Sequence, residues 1–450
     1  MTTDGPTPPA SVDKRDRANS LLKSGVGLTL IKGINTLLGF ATVTVFARLL
    51  PPADFGLYIL CLTTAQFVSL PLQMGLPVLV MREIAVARSK DNPGAVNGVL
   101  AWSQRIMIIG TLIAGTFVIG VYGVVVAAGW PILQQFSWPL VLLIAALAPV
   151  LAEMKRVMGV LNGFRLAAIS RLPDAIIRPA LLLLAGGLGL WLGLFAEVGL
   201  LVSHLGAALV AAAFGWLVIA ITSDRPTRRN HPAEFNSVSW RASLWPLTIV
   251  AAATTVMNYV DVLMLGMFDT VESVAFYRVA SQLAAAALLV QVAINAVFSP
   301  RMAAFHSRGE TERMQAMAVT GSRIAFGATL VFALALVLVG RNGFVYLLGE
   351  EYGPIYGLTV LLSAGAAVNA FFGGTGMLLN MTNRERYMSQ YATWATVGNI
   401  AMNLALIPLL GPLGAAISTI LTTFGMQVMS WNRVLRSIGV RSDAFGRIVR

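Results

Sequence analysis

Residues 32–58, KGINTLLGFATVTVFARLLPPADFGLY, decide how this chain folds. The stretch is apolar enough to lie in lipid, yet it carries Lys32 far from either end of its hydrophobic run. A cation at the centre of a membrane helix costs about 2.5–3.5 kcal/mol on insertion scales, so such a residue normally faces a protein interior or a watery cavity. The sequence therefore predicts a membrane helix with one functional polar face.

The composition of the whole chain extends this prediction. Of the 450 residues, 57% are hydrophobic and 12% are charged. A soluble protein carries about twice that share of charged residues. Apolar runs of about 18 or more residues recur along the length, which is typical of an all-α polytopic membrane protein. The single cysteine excludes a disulfide framework.

Twelve apolar spans are predicted, and they are too long and too continuously apolar for the strands of a barrel. The spans cover approximately residues 24–49, 56–81, 106–128, 138–153, 172–190, 196–221, 245–267, 276–300, 319–340, 355–380, 387–409 and 412–435. The predicted domains are a disordered cytoplasmic tail over 1–20, six-helix lobes over 21–222 and 244–437, a cytoplasmic linker over 223–243 and a basic tail over 438–450.

Weak internal similarity relates the two halves. A shift of 219 residues aligns Tyr58 with Tyr277 and Arg82 with Arg301. Both halves begin on the same side of the membrane, because each follows an even number of helices. We therefore expect parallel repeats, related by a pseudo-two-fold axis along the membrane normal.

Basic residues concentrate in the N-terminal tail and in the even-numbered connections, where we place Lys155 and Arg156. Cytoplasmic loops of membrane proteins carry such an excess, so both termini are predicted to be cytoplasmic. The same rule explains the net charge of +12. A nucleic-acid partner is therefore not expected.

Signatures of soluble enzymes and of metal sites are missing from the sequence. It contains no G-x-x-x-x-G-K-[ST] phosphate loop and no H-E-x-x-H, and its three histidines are dispersed. We expect no cofactor, no metal and no catalytic residue.

Polar residues instead recur on single faces of the apolar spans. Lys32 and Asn35 share a face of the first span, and Asn258 and Asp261 share a face of the seventh. Lys32 and Asp261 lie further from the span ends than Arg48 and Arg278 do, so a place in a functional cavity is at least as probable for them as a structural one. They could also pair with each other across the two halves.

Each of the other candidates also has a purely structural explanation. Asp174 and Arg178 are four residues apart and could neutralise each other on one helix. Arg48 and Arg278 lie near span ends and could extend to the membrane surface. Asn399 could bridge two helices. Interior cations nevertheless outnumber interior acids, and that bias favours an anionic substrate.

Residues 48–58, RLLPPADFGLY, resemble the R-x-L-x-P-x-x-F-G-x-Y signature of bacterial polysaccharide exporters. That family includes the O-antigen-type flippases of lipid-linked oligosaccharides and belongs to the multidrug, oligosaccharidyl-lipid and polysaccharide exporter superfamily. Residues 261–266, DVLMLG, and 274–280, VAFYRVA, are similar to the start of the family's second half. The resemblance extends over residues 20–437.

The resemblance implies two lobes around a cavity that opens alternately to either side. The implied substrate is an undecaprenyl-pyrophosphate-linked oligosaccharide, moved to the outer leaflet of the bacterial inner membrane for surface polysaccharide biosynthesis. Implied partners are this substrate, the bilayer, and the polymerase and glycosyltransferases of such a pathway. The cations assigned to the pyrophosphate are Lys32, Arg178, Arg48 and Arg278. Coupling or other polar roles in the cavity are assigned to Asp261, Asn35, Asn258, Asp174 and Asn399.

Two further expectations and two alternatives accompany this hypothesis. The Pro51–Pro52 pair and Gly56 are expected to shape a tight turn between the first two helices. Asp261 could carry a proton, hold a cation or brace Lys32. A multidrug or cation exporter of the same superfamily is the first alternative, and it would need a net acidic or aromatic cavity. A membrane enzyme of polysaccharide assembly is the second.

Overall fold

The computed structural model describes residues 14–73, 75–128, 136–194, 197–222 and 231–447, and the regular elements in these ranges are all helical. The first lobe contains α1 (Lys14–Leu49), α2 (Pro52–Gln73), α3 (Leu76–Ser89), α4 (Pro93–Ala127), α5 (Trp138–Gly163), α6 (Arg178–Trp191) and α7 (Glu197–Thr222). The second lobe contains α8 (Ser237–Phe268), α9 (Val271–Ala286), α10 (Leu289–Ser307), α11 (Thr311–Leu348), α12 (Ile355–Phe372), α13 (Thr375–Met381), α14 (Glu385–Leu410) and α15 (Pro412–Ile438).

The described part of the chain contains nine helical segments that are long and apolar enough to cross a membrane, or ten if the bent pair α9–α10 is one span. The bend between α9 and α10 is 47°. The other two predicted spans fall on α5 and α8, which are 26 and 32 residues long. The all-helical membrane fold is thus confirmed, whereas the count of twelve spans stays a prediction.

The predicted span 56–81 is wrong as one continuous helix. Helix α2 ends at Gln73 and α3 begins at Leu76, after Gly75 with a φ of 66°. A side chain on Gly75 would also collide with Leu247 of α8. The break therefore needs glycine both for its backbone conformation and for the close approach of the second lobe.

Helix α5 continues to Gly163, ten residues beyond the predicted end of its span at 153. Lys155 and Arg156 therefore lie inside a helix, and their assignment to a connection was wrong. Arg156 is completely buried, donates to both carboxylate oxygens of Glu153 and lies over the ring of Trp216. A buried arginine needs such a paired environment, because an isolated charge is expensive to desolvate.

The predicted tails and linker fall partly outside the described residues, at 1–13, 223–230 and 448–450. The domain boundaries thus stay predictions. Within the described part, α1 already begins at Lys14 and α8 at Ser237. Just before α8, the Glu234 backbone N–H donates to the carbonyl oxygen of Gly94 at the start of α4.

Residues 440–447, here called the C-terminal strap, lie against the second lobe. The strap covers the break between α12 and α13, where Gly373 has a φ of 70°. The Ala444 N–H donates to the carbonyl oxygen of Phe371, and Arg323 donates to the carbonyl oxygens of Ala444 and Gly446. These contacts tie α11, the helix break and the strap together.

The lobes also touch near the face at which α1 ends, here called the opposite face; the face at which α1 begins is called the terminal face. Gly56 lies inside α2, at a point where a side chain would collide with the carbonyl oxygen of Val271. Gly266 of α8 similarly approaches Leu60. Gly56 therefore permits contact between the lobes, and its expected role in a turn was wrong.

Candidate substrate cavity

A cavity of about 840 Å³ lies between the two lobes. Its volume falls within the range of about 300–1,000 Å³ that is typical of ligand pockets. Among the described residues, the charged ones that line it are Lys32, Arg171, Asp174, Arg178 and Arg278. Four cations and one carboxylate make this lining strongly positive. It also includes Asn35, Thr36, Thr42, Tyr58, His204, Tyr259, Gln282 and Ser299.

The cations lie at different depths. Lys32 is 17 residues before the end of α1, or about 25 Å along a helix that rises 1.5 Å per residue. Arg278 is seven residues after the start of α9, or about 10 Å from the same face. An elongated anion would therefore meet positive charge along its length.

Arg178 is held by a chain of hydrogen bonds that crosses three elements of the first lobe. Its Nη2 donates to Asp174 Oδ1 at 2.8 Å, and its Nη1 lies 2.9 Å from His204 Nε2. The other ring nitrogen, Nδ1, lies 2.8 Å from the Tyr58 hydroxyl. His204 and Tyr58 are both buried. This chain fixes where the guanidinium stands in the cavity wall.

Asp174 is shared between two cations. Its Oδ2 lies 2.6 Å from Lys155 Nζ of α5, while Oδ1 takes the bond from Arg178. The residue belongs to a π-helical turn, Pro173–Ile177, directly before α6. Single π turns are rare and occur often at functional sites.

Asp261 lies in a separate polar cluster of the second lobe and is not part of the cavity lining. Its Oδ1 accepts from Asn403 Nδ2 at 2.6 Å, and its Oδ2 accepts from the hydroxyls of Tyr277 at 2.6 Å and Thr419 at 2.7 Å. Asn399 bonds to both Asn403 and Thr419. Among the described residues, the donors to this carboxylate are all neutral.

The two clusters occupy equivalent places in the two lobes. Tyr58 near the start of α2 pairs with His204 of α7, and Tyr277 near the start of α9 pairs with Thr419 of α15. Tyr58 and Tyr277 are the tyrosines that the 219-residue shift aligns. The helical segments before α7 and α15, Pro173–Trp191 and Glu385–Leu410, each add two polar residues spaced four apart.

Those two pairs differ in charge. The first lobe has Asp174 and Arg178, and the second has the amides Asn399 and Asn403. The first cluster thus carries its own cation, whereas the second is built around the unbalanced carboxylate of Asp261. The equivalent clusters of the two lobes therefore differ in charge.

The structure brings together five of the nine predicted site residues in the cavity: Lys32, Asn35, Asp174, Arg178 and Arg278. Arg48 was misplaced: it is exposed at the end of α1, with Nη1 near Gly349. Asn258 is exposed and does not line the cavity. Asp261 and Asn399 belong to the second cluster. The pairing of Lys32 with Asp261 is not formed.

Tyr58, His204 and Lys155 are the participants that sequence reasoning missed. The sequence analysis used Tyr58 only as part of the 48–58 signature and of the repeat alignment. It placed Lys155 in a connection between two spans. His204 could have been found, because it is an ionisable side chain in the middle of an apolar span.

Residues 21–306 match the model of a family described as "Polysaccharide biosynthesis protein". The chain is 24% identical over 219 residues to the probable flippase AglR of Haloferax volcanii. It is 23% identical over 237 residues to the probable low-salt glycan biosynthesis flippase Agl15 of the same organism. These matches cover 48% and 51% of this chain. They cover 44% and 47% of the relatives, so the chain spans about half the length of the curated relatives it matches.

Solved transporters share the fold. An inward-facing multidrug resistance MATE family transporter of the MOP superfamily aligns with a TM-score of 0.71 at 15% identity, over 90% of this chain and 94% of that one. The lipid II flippase MurJ, in an inward closed conformation, aligns with a TM-score of 0.70 at 11% identity, over 90% and 86%. Since the family model matches more than half of its length, the chain belongs to the polysaccharide biosynthesis protein family.

Proposed function

We propose that this protein is a flippase, which moves an undecaprenyl-pyrophosphate-linked oligosaccharide from the cytoplasmic to the outer leaflet by alternating access. The observation that carries the proposal is the convergence of Lys32, Arg178 and Arg278 on one cavity between the lobes. The names of the Haloferax relatives describe flippases, which agrees with this assignment.

The cavity suits a diphosphate for electrostatic reasons. Hydrogen bonds from Arg and Lys to phosphate oxygens are short and about twice as strong as neutral ones. Removal of a doubly charged group from water also needs nearby opposite charge, because the effective dielectric constant inside a protein is far below that of water. The lining supplies that charge through four cations. An organic cation would be repelled by the same lining, so the drug-exporter alternative is disfavoured.

The two lobes contribute different parts of the anion site. Lys32 and Arg178 come from the first lobe, and Arg278 comes from the second. A bound diphosphate would therefore contact both lobes and could respond to their relative movement. The contact of Gly56 with Val271 holds the lobes together at the opposite face. Opening that contact would expose the cavity to the other side, as rocking transporters of this kind require.

Asp261 is the residue we assign to energy coupling. Its carboxylate lies in the apolar part of α8, Thr255–Phe268, and its described hydrogen-bond donors are neutral. An unbalanced carboxylate in this environment favours binding of a proton or a small cation such as Na⁺. Binding or release of that ion would change the packing of α8, α9, α14 and α15, which meet at the cluster.

The orientation and the pathway are part of the same proposal. The excess of basic residues near the terminal face favours a cytoplasmic location for both termini in a bacterial inner membrane. A substrate of this kind is made by glycosyltransferases and used by a polymerase. We therefore propose that the protein acts between such enzymes in surface polysaccharide assembly.

Reconstitution tests the proposed function. The purified protein is placed in liposomes with a fluorescent undecaprenyl-pyrophosphate oligosaccharide, and an impermeant quencher reports which leaflet holds the label. We expect Lys32→Ala and Arg278→Ala to abolish flipping. Arg48→Ala is the matched control, because Arg48 lies outside the cavity, and it should flip at close to the wild-type rate. Unchanged flipping in both cavity variants, with normal reconstitution, would overturn the assignment.

A further inference from the structure

We propose that Asp174 is a resident anion that competes with the substrate's diphosphate for Arg178, and that Lys155 sets the strength of this competition. The inference rests on the proposed function, since it concerns the binding of a diphosphate at the same site. It assigns to Asp174 a role in substrate release.

The carboxylate of Asp174 has one oxygen for each cation. Oδ1 accepts from Arg178 Nη2 at 2.8 Å, and Oδ2 accepts from Lys155 Nζ at 2.6 Å. Asp174 is partly exposed and lines the cavity, whereas Lys155 on α5, which is also partly exposed, is not among the lining residues. Asp174 thus links a cation of the cavity lining to a cation outside that lining.

Arg178 already has one anion, the carboxylate of Asp174, at its guanidinium. Its Nη1 is engaged with His204 and its Nη2 with Asp174, and its Nε is buried without a partner among the described residues. A phosphate oxygen that binds Arg178 from the cavity is therefore brought close to the Asp174 carboxylate, which also lines the cavity. Two anions at one guanidinium repel each other, so displacement is favoured.

Lys155 makes that displacement feasible. A carboxylate stripped of its only partner inside a membrane protein would be left as an uncompensated charge, which is strongly destabilising. Asp174 keeps its bond to Lys155 when it leaves Arg178, because the two bonds use different oxygens. The exchange therefore replaces the ion pair of Arg178 with Asp174 by one with the diphosphate, while Asp174 stays paired with Lys155.

The reverse exchange favours release. When the diphosphate leaves, Asp174 returns to Arg178 and restores its ion pair. A cavity with four cations and no such competitor would hold a diphosphate tightly and release it slowly. Asp174 thus lowers the affinity and raises the turnover.

A double-mutant cycle tests the proposal. The full-length protein in lipid nanodiscs is titrated with inorganic pyrophosphate by calorimetry, for wild type, Asp174→Asn, Lys155→Met, the double variant and Arg178→Gln. We expect Asp174→Asn to bind pyrophosphate about tenfold more tightly, the size of one charge-assisted hydrogen bond. Its flipping rate in liposomes should fall despite the higher affinity. Lys155→Met should weaken pyrophosphate binding, because Asp174 then pairs with Arg178 alone.

The double variant separates competition from a general effect of charge. If Lys155 acts through Asp174, Lys155→Met has no effect in the Asp174→Asn background. If Lys155→Met lowers the pyrophosphate affinity equally in the wild-type and Asp174→Asn backgrounds, Lys155 acts on the anion directly through its charge. That result would overturn the inference. Weaker binding by Asp174→Asn, as in Arg178→Gln, would overturn it too, since Asp174 would then only position Arg178. If Asp174→Asn does not fold, Lys155→Met alone tests the inference. Pyrophosphate binding by Lys155→Met that is unchanged or tighter than that of wild type would overturn it.

Failure of the proposed function has a different signature. If Arg178→Gln binds pyrophosphate as well as wild type does, the cavity is not the diphosphate site. If Arg178→Gln loses binding while Asp174→Asn binds no more tightly than wild type, the cavity assignment stands and only the competition is refuted.

Discussion

Arg178 and His204 are joined by a contact of 2.9 Å between Nη1 and Nε2. A guanidinium can only donate, so Nε2 must accept and must be unprotonated. The remaining ring proton then lies on Nδ1, which donates to the Tyr58 hydroxyl oxygen 2.8 Å away. A neutral histidine with one defined tautomer thus links the signature tyrosine to the cation of the cavity.

Substitution of His204 should separate this positioning role from simple packing. His204→Leu removes the acceptor for Arg178 and the partner of Tyr58, and unpaired buried groups of this kind cost about 1–3 kcal/mol each. We expect a lower melting temperature and weaker pyrophosphate binding. In His204→Gln the side-chain oxygen can accept from Arg178, so pyrophosphate binding should be rescued more fully than stability. Equal binding by the two variants would show that His204 does not position Arg178.

Asp261→Asn should change the energy coupling of transport. The amide replaces one acceptor oxygen by a donor, in a site whose described partners all donate, and it removes the charge that attracts a proton or Na⁺. Flipping in liposomes should therefore no longer respond to an imposed proton or sodium gradient. Asp269→Asn, at the end of the same helix and outside the cluster, is the matched control. A wild-type gradient response in Asp261→Asn would leave Asp261 a structural acid.

Gly56→Ala should weaken the closed contact at the opposite face. A Cβ at this position would collide with the carbonyl oxygen of Val271, so α2 and α9 must separate. We expect larger inter-lobe distances in spin-label measurements and more reaction of cavity cysteines with impermeant reagents added from that face. Gly115→Ala in α4 is the control, because its Cβ would have no neighbour within 4 Å. Unaltered inter-lobe distances in Gly56→Ala would contradict a gating contact.

Arg323→Ala should release the C-terminal strap. The side chain donates to the carbonyl oxygens of Ala444 and Gly446, so its removal leaves both acceptors unpaired. Hydrogen exchange over residues 440–447 should accelerate, and limited proteolysis should cut there first. Arg313→Ala removes only a pair with Glu310, the residue directly before the same helix, and should leave both measurements unchanged. Equal protection in the two variants would mean that Arg323 does not hold the strap.

The sequence was sufficient where a single residue carried the physical signal. The place of Lys32, Asp174 and Arg178 at a cavity could be predicted, because a charge inside an apolar span is costly wherever its partners lie. Arg48 could not be separated from them, since its distance from a helix end does not say which way the side chain points.

Partners far apart in the chain were beyond such reasoning. His204 is 146 residues from Tyr58, and nothing local indicates their contact. Lys155 was misassigned because α5 remains helical for ten residues beyond its last clearly apolar stretch. Gly56 follows two prolines and resembles a turn glycine, yet it is required by the second lobe, which only the tertiary structure reveals.

The charge of the cavity has a consequence for how membrane voltage acts on the cycle. A water-filled cavity shares the potential of the side to which it is open, so a change of access carries the lining charges across the field. Among the described lining residues, four cations and one carboxylate leave an excess of three positive charges when the cavity is empty. Each is worth about 2.3 kcal/mol per 100 mV. A diphosphate would cancel most of this charge on the outward step. Under the proposed function and orientation, an inside-negative voltage would therefore act mainly on the empty protein, drawing its cavity back toward the cytoplasm and resetting it for the next lipid.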